Sequence, residues 1–262
     1  MRANTIGLIA GALGVAASAN AGISVGDTLN LTRSANGYTS NVFYNYTSGL
    51  ANTATGQGRS ASLAQAGIMN WAVNSVNGTN TFGYNIHAFC VEVEEGAGSP
   101  ANYTVVTPAE VPENAPPGPM GSARSSLMQD LYSRFYTSTV DPSGGSAWGD
   151  RINNATAFQL LIWEISHENF TSNDLSTMVS EIDIANGAMA AYGNSSNAGL
   201  DAGVASAVTT MVNALGSGGW NAFAGLVGAT SVSDQDLLIV VPSPAIAALA
   251  GLGLVGMRRR RR

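Results

Sequence analysis

The feature that most limits what this chain can fold into is a change of period across a proline-rich break. Residues 109–122 read "AEVPENAPPGPMGS", too rich in proline for a helix or a central strand. Before the break, from Gly26 to about Pro108, the stretches "GDTLNLTRS", "GYTSNVFYNYTSG", "GIMNWAVNSV", "NTFGYNIHAFCVEVEE" and "ANYTVVTP" carry Thr, Val, Ile, Tyr and Phe between Gly, Asn and Ser breaks. That is strand composition. After it the spacing turns helical. Leu127, Leu131 and Phe135 recur four apart, and Phe158, Leu161, Ile162 and Ile165 form one stripe. Two more helices are expected around Asp174–Tyr192 and Leu200–Leu215, and strand character returns in "WNAFAGLVG" and "QDLLIVV". Strands, a helical block and closing strands predict an α+β fold, a mainly antiparallel β domain with inserted helices. The β part covers about 22–108, the helical part about 123–215 and the closing strands about 220–241.

The two ends read as targeting segments. Residues 1–21 have a basic start at Arg2, an apolar run from Ile6 to Ala17, and small residues at Ala19 and Ala21. That pattern predicts a signal peptide cleaved after Ala21, and hence export. Residues 241–262, "VPSPAIAALAGLGLVGMRRRRR", join Val241, Pro242, Ser243 and Pro244 to an apolar segment and five arginines. The apolar segment Ala245–Met257 reaches about 20 Å as a helix, short of the roughly 30 Å hydrocarbon core. The arginines after it form a positive-inside stop.

Those residues resemble the PEP-CTERM sorting signal of Gram-negative bacteria, in the Val-Pro-x-Pro form with poly-Arg seen on planctomycete-type surface proteins. Ser243 stands where the family name has Glu. The resemblance implies transient membrane insertion of a C-terminal apolar helix, processing by an exosortase-type enzyme, and delivery to the cell surface or extracellular matrix.

Charge excludes one class of partner. Between the two end segments only Arg33, Arg59, Arg124, Arg134 and Arg151 face all 17 acidic residues, a balance near −12. Nucleic-acid binding needs the opposite surface. The chain has no lysine.

An exported chain usually carries its cysteines in pairs. This one has a single cysteine, Cys90, in "IHAFCVEVEE". Strand alternation puts Phe89, Val91 and Val93 on one face and Ala88, Cys90, Glu92 and Glu94 on the other. The apolar face is expected to meet the core, so Cys90 should point away from it, and His87 lies on the face opposite Cys90. In "ATAFQLLIWEI" Gln159 is the one polar residue of an apolar run, with Trp163 at i+4. A glutamine there must be hydrogen-bonded, reach a surface, or react. A thiol can attack a carboxamide, expel ammonia and leave a thioester.

Here "FCVE" followed by "FQLLIW" resembles the bacterial thioester domains, whose motifs are an aromatic-Cys-aliphatic-acidic strand and an aliphatic helix carrying Gln with Trp four residues later. Phe158 stands where that family often has Thr. The resemblance covers about Tyr84 to Asn169. It implies a Cys90–Gln159 internal thioester that captures an amine on a partner once, without turnover, and so a surface adhesin rather than an enzyme. Trp163 with Phe89 or Phe158 would shield the bond from water. Glu92 or His167 would move protons, although His167 near a helix end also suits a dipole contact.

Two other readings compete. A cysteine hydrolase would pair Cys90 with His167 and Asn169. A non-covalent matrix or surface structural protein would leave Cys90 a free thiol and Gln159 a hydrogen-bonded helix residue. No motif for a metal or cofactor is present, and "DPSGG" at Asp141 reads as a turn.

Overall fold

The structure is a computed structural model that describes residues 22–140 and 148–241. Among the described residues seven strands and four α-helices follow in the order β1 (Thr28–Tyr46), β2 (Ser62–Val76), β3 (Thr79–Cys90), β4 (Ala101–Val106), α1 (Gly121–Val140), α2 (Trp148–His167), α3 (Leu175–Glu181), β5 (Met189–Tyr192), α4 (Ala202–Ala214), β6 (Leu226–Thr230) and β7 (Leu237–Val240). Every strand pair is antiparallel. The strands run β2-β3-β7-β6-β4-β1, and β1 pairs back onto β2, so six of them close a barrel. Short β5 hangs outside it on β1. The fold is therefore the expected α+β type, with the helical block entering after β4 and the chain returning to the barrel at β6.

Closure depends on β1. Two separate stretches were expected there, but one 19-residue strand spans both. Register shifts near Leu31, Arg33 and Asn36 bend it, so that it serves β2 along its length, β4 at its start and β5 at its end. Bulges of this kind increase local twist and let a strand turn a barrel corner. Opposite the bend sits Gly67, at φ +140°; a Cβ there would lie 2.1 Å from the Tyr38 carbonyl oxygen. β2 turns into β3 through Asn77-Gly78, both at positive φ, as a tight two-residue hairpin requires.

Alternation then fills the barrel. Along β4, Ala101, Tyr103 and Val105 are buried while Asn102 and Thr104 are exposed. Tyr103 meets Trp71 of β2 edge to face, ring centres 6.0 Å apart. A second apolar layer lies outside the wall, where α2 packs against β1, β2 and β3 and is covered in turn by α1 and α4. Residues 155–167 of α2 are all buried. A single apolar stripe was expected; burial all round follows from the helix being sandwiched between barrel and helices.

The expected helix over Asp174–Tyr192 is corrected to a short helix followed by a strand. α3 begins at its cap, where Asp174 accepts from the Thr177 N–H, and ends by Ile182. Asp183 then takes the Ala185 N–H and the Asn186 side chain, and Gly187 adopts φ +92°. This turn chemistry outweighs the helical spacing and sends 189–192 onto β1.

Candidate functional site

Both faces of β3 are buried at its end, and this corrects one expectation. Phe89 faces the helical layer, with ring centres 4.8 Å from Phe158 and 6.1 Å from Tyr132. Cys90 points the other way, as alternation requires, but it is only 4% exposed. Its sulfur lies 3.8 Å from Met69 Sδ on the neighbouring strand. The barrel closes over the face that a flat sheet would leave open.

Cys90 and Gln159 meet. The Cys90 N–H donates to Gln159 Oε1 at 3.1 Å, and Gln159 Nε2 donates to the Cys90 carbonyl at 2.7 Å. Strand register explains why these groups are available. Val91 N–H bonds Asp236 on the β7 side, so the N–H and carbonyl of Cys90 point toward β2. The β2 ladder reaches β3 at Met69–Ala88, which leaves the Cys90 groups beyond it. The carboxamide of Gln159, reaching in from α2, takes the place of a strand partner. A glutamine that is 1% exposed in an apolar helix is thereby satisfied at both ends.

The thiol itself has a different partner. Cys90 Sγ–H donates to Gln235 Oε1 at 2.5 Å, and Gln235 Nε2 donates to the Glu92 carbonyl. Gln235 was missed at the sequence level. It sits between two aspartates ahead of β7, and nothing in "SDQDLL" separates it from an ordinary loop glutamine. A cleft of about 260 Å³ has Arg33, Tyr44, Met69, Cys90, Trp163 and Gln235 in its wall. Gln159 lies outside that wall.

The other expected residues take distinct places. Trp163 is 1% exposed, tilted against Tyr44 at 6.0 Å, and its Nε1–H finds no hydrogen-bond partner among the described residues. His167 is fully buried. Its Nδ1 bonds the Trp163 carbonyl and Ser166 Oγ, and Tyr46 lies edge-on to its ring. Burial pulls its pKa down to about 3, so the imidazole is neutral. No described hydrogen bond joins His167 to Cys90; the Asn169 N–H is spent on Glu168. His87 bonds Asn70 Oδ1. Val241 ends the described chain with its N–H on Gly225, and Pro242, Ser243 and Pro244 lie outside the described residues, as do residues 1–21 and Asp141.

Burial pushes the Cys90 thiol well above its ordinary value; Arg33 pulls it down and Glu92 adds to the rise. Glu92, past the strand end, accepts the Asp236 N–H on Oε2. Burial raises its carboxyl to about 7, with Asp236, Glu95 and Glu113 adding repulsion. Asp236 is raised to about 6, again by burial first. Among the described residues no cluster of three His, Cys, Asp or Glu side chains could hold a metal ion, and no helix is long and apolar enough to cross a membrane.

These raised carboxyls predict a pH dependence. The folded state keeps protons on Glu92 and Asp236 that the unfolded chain releases near pH 4 to 4.5, so folding takes up protons between there and about pH 7. Stability is expected to fall across that window as pH rises, by about 2 kcal/mol for Glu92 after allowance for solvent screening. Urea midpoints at pH 5 and pH 7 measure it. Glu92→Gln should flatten most of the slope, and an unchanged slope would refute the assignment.

No protein-family model, curated protein or solved structure matches this chain.

Proposed function

We propose that this is an exported surface protein whose Cys90 and Gln159 join as an internal thioester and capture an amine on a partner molecule. The observation that carries the reading is the seating of the Gln159 carboxamide on the backbone of Cys90 itself. Attack by Sγ on the carboxamide carbon develops negative charge on Oε1, and the Cys90 N–H is already aimed at that oxygen. A preorganised donor of this kind stabilises the tetrahedral stage. The amide nitrogen leaves with the thiol proton as ammonia. The product lies in a site with Cys90 at 4% and Gln159 at 1% exposure, which limits hydrolysis.

Capture is the reverse exchange. An amine reaching the site through the cleft forms a C–N bond to the Gln159 carbonyl carbon, the C–S bond breaks, and an amine proton passes to sulfur. One amide per molecule results, so the protein is a covalent adhesin or anchor and not an enzyme. No described hydrogen bond joins His167 to Cys90, which argues against a cysteine hydrolase, whose thiol sits beside its base. The two end segments support delivery to the cell surface or extracellular matrix of a Gram-negative-type bacterium through an exosortase-type pathway. A non-covalent matrix protein with a free thiol is the second reading, favoured by the hydrogen bond that already satisfies Sγ–H.

Intact mass of the full chain, purified without amine buffers, separates the two. Under the thioester reading the wild type is lighter than its sequence by one ammonia, and methylamine restores that mass plus a methylene. Cys90→Ala and Gln159→Ala show plain sequence masses. A wild type at full sequence mass, with a thiol that alkylates once unfolded and no Gln159-to-Glu conversion, leaves the non-covalent reading.

A further inference from the structure

We infer that Gln235 is the residue that positions the Cys90 sulfur for bond formation. The inference rests on the thioester reading and adds to it a group that neither motif contains. Two carboxamides converge on Cys90 with different tasks. Gln159 is held by the backbone N–H and carbonyl of Cys90; Gln235 holds the side chain, its Oε1 accepting from Sγ–H at 2.5 Å. A cysteine side chain has three staggered positions about its Cα–Cβ bond, and only some bring sulfur toward a given neighbour. The Gln235 oxygen selects one of them.

The Gln235 carboxamide is itself tethered. Its Nε2 donates to the Glu92 carbonyl, and the residue is 8% exposed. On the next residue the Asp236 N–H binds the Glu92 carboxyl, and Asp236 Oδ1 and Oδ2 take the N–H groups of Ser231 and Glu113. The oxygen that meets the thiol is thus fixed by a chain of buried hydrogen bonds reaching back into the barrel. Sulfur and the Gln159 carboxamide are both located relative to one residue, which is the condition for a high effective concentration.

The reaction balances without a further reagent. As the Cδ–Sγ bond forms and the Cδ–Nε2 bond of Gln159 breaks, the proton held toward Gln235 departs with nitrogen as ammonia. After capture, the thiol formed by the incoming amine's proton donates again to Gln235 Oε1. Gln235 touches the reacting thiol but takes no bond change of its own.

The test uses the full chain made by cell-free synthesis without primary-amine buffers, with intact mass followed over time. Gln235→Met, similar in length but without the acceptor, is expected to slow ammonia loss by about tenfold or more, the worth of one neutral hydrogen bond in a barrier. Gln235→Glu, which keeps an acceptor oxygen, should recover the rate. Because the chain has one cysteine, its S–H Raman band is unambiguous. In Gln159→Ala, where the thiol stays free, adding Gln235→Met should raise that frequency, which loss of packing alone would not do. If Gln235→Met fails to fold, Gln235→Asn withdraws the same oxygen by one methylene and is read the same way. Closure at the wild-type rate with an unmoved band overturns the inference. Loss of the ammonia deficit in Gln235→Met but not in Gln159→Ala also overturns it, since Gln235 would then be the acyl partner. A wild type that never loses ammonia overturns the thioester reading, and the positioning role falls with it.

Discussion

Gln159→Ala is expected to lower the free energy of unfolding by about 6 kcal/mol, and Cys90→Ser by about 4 kcal/mol. The residues are 69 apart in sequence, and a covalent link across that distance restricts the unfolded chain by roughly 4 kcal/mol on the loop-entropy rule. On the thioester reading both variants would lose that link. Only Gln159→Ala also strips the Cys90 N–H and carbonyl of their partner, in a buried place beyond the β2 ladder. A buried backbone group left unpaired costs about 1–3 kcal/mol, so two make the alanine variant the worse. Urea unfolding with m-values monitored measures both. Equal losses would mean the carboxamide contributes nothing as a strand surrogate. A small loss for Cys90→Ser beside a large one for Gln159→Ala would mean the crosslink is absent.

The second large effect lies far from the thiol. Asp130, on α1, is fully buried and gathers the Arg134 guanidinium at 2.8 Å together with the N–H groups of Gly216 and Asn221. It ties the end of α4 and the approach to β6 back onto α1. Asp130→Ala leaves Arg134 and two N–H groups without that acceptor, and breaking such a cluster from one side costs about 3–5 kcal/mol. Asp130→Asn, which keeps an acceptor oxygen, should cost less. Burial pushes the Asp130 carboxyl up, but Arg134 and the two N–H donors outweigh it, so its folded pKa lies below the ordinary aspartate value. Its contribution is therefore complete above the unfolded pKa near 3.9 and is lost as pH falls through the lower folded one. That acid-side loss should vanish in Asp130→Asn, and thermal melts between pH 2 and pH 5 check it.

What the sequence disclosed depends on how far apart the interacting parts lie. Alternation in β4 and the four-residue spacing of Leu127 and Leu131 are local patterns, and both stand in the fold. The change of period at residues 109–122 placed the helical insertion correctly, because proline acts on its own neighbours. Barrel closure was not legible, since pairing of β1 with both β2 and β4 depends on bulges that the composition of 28–46 does not announce. For the same reason the open face expected beside Cys90 is closed. The encounter of Cys90 with Gln159 was readable from two short motifs in order. Gln235 was not: its significance comes only from β7 lying beside β3, a non-local pairing with no residue pattern of its own. Asp130 was hidden likewise, an acid on a helix with two of its partners 86 and 91 residues downstream.

The barrel's wall has a consequence for timing. β7 pairs with β3, and Gln235, just ahead of β7, bonds a thiol 145 residues earlier in the chain. Such non-local pairings pay their loop-closure entropy before any contact rewards it, and so form late. A nascent chain that has not yet released β7 therefore has neither a closed wall nor an anchored sulfur. On the thioester reading, bond formation would wait until β7 has been made, and the order of the chain itself would act as a delay line.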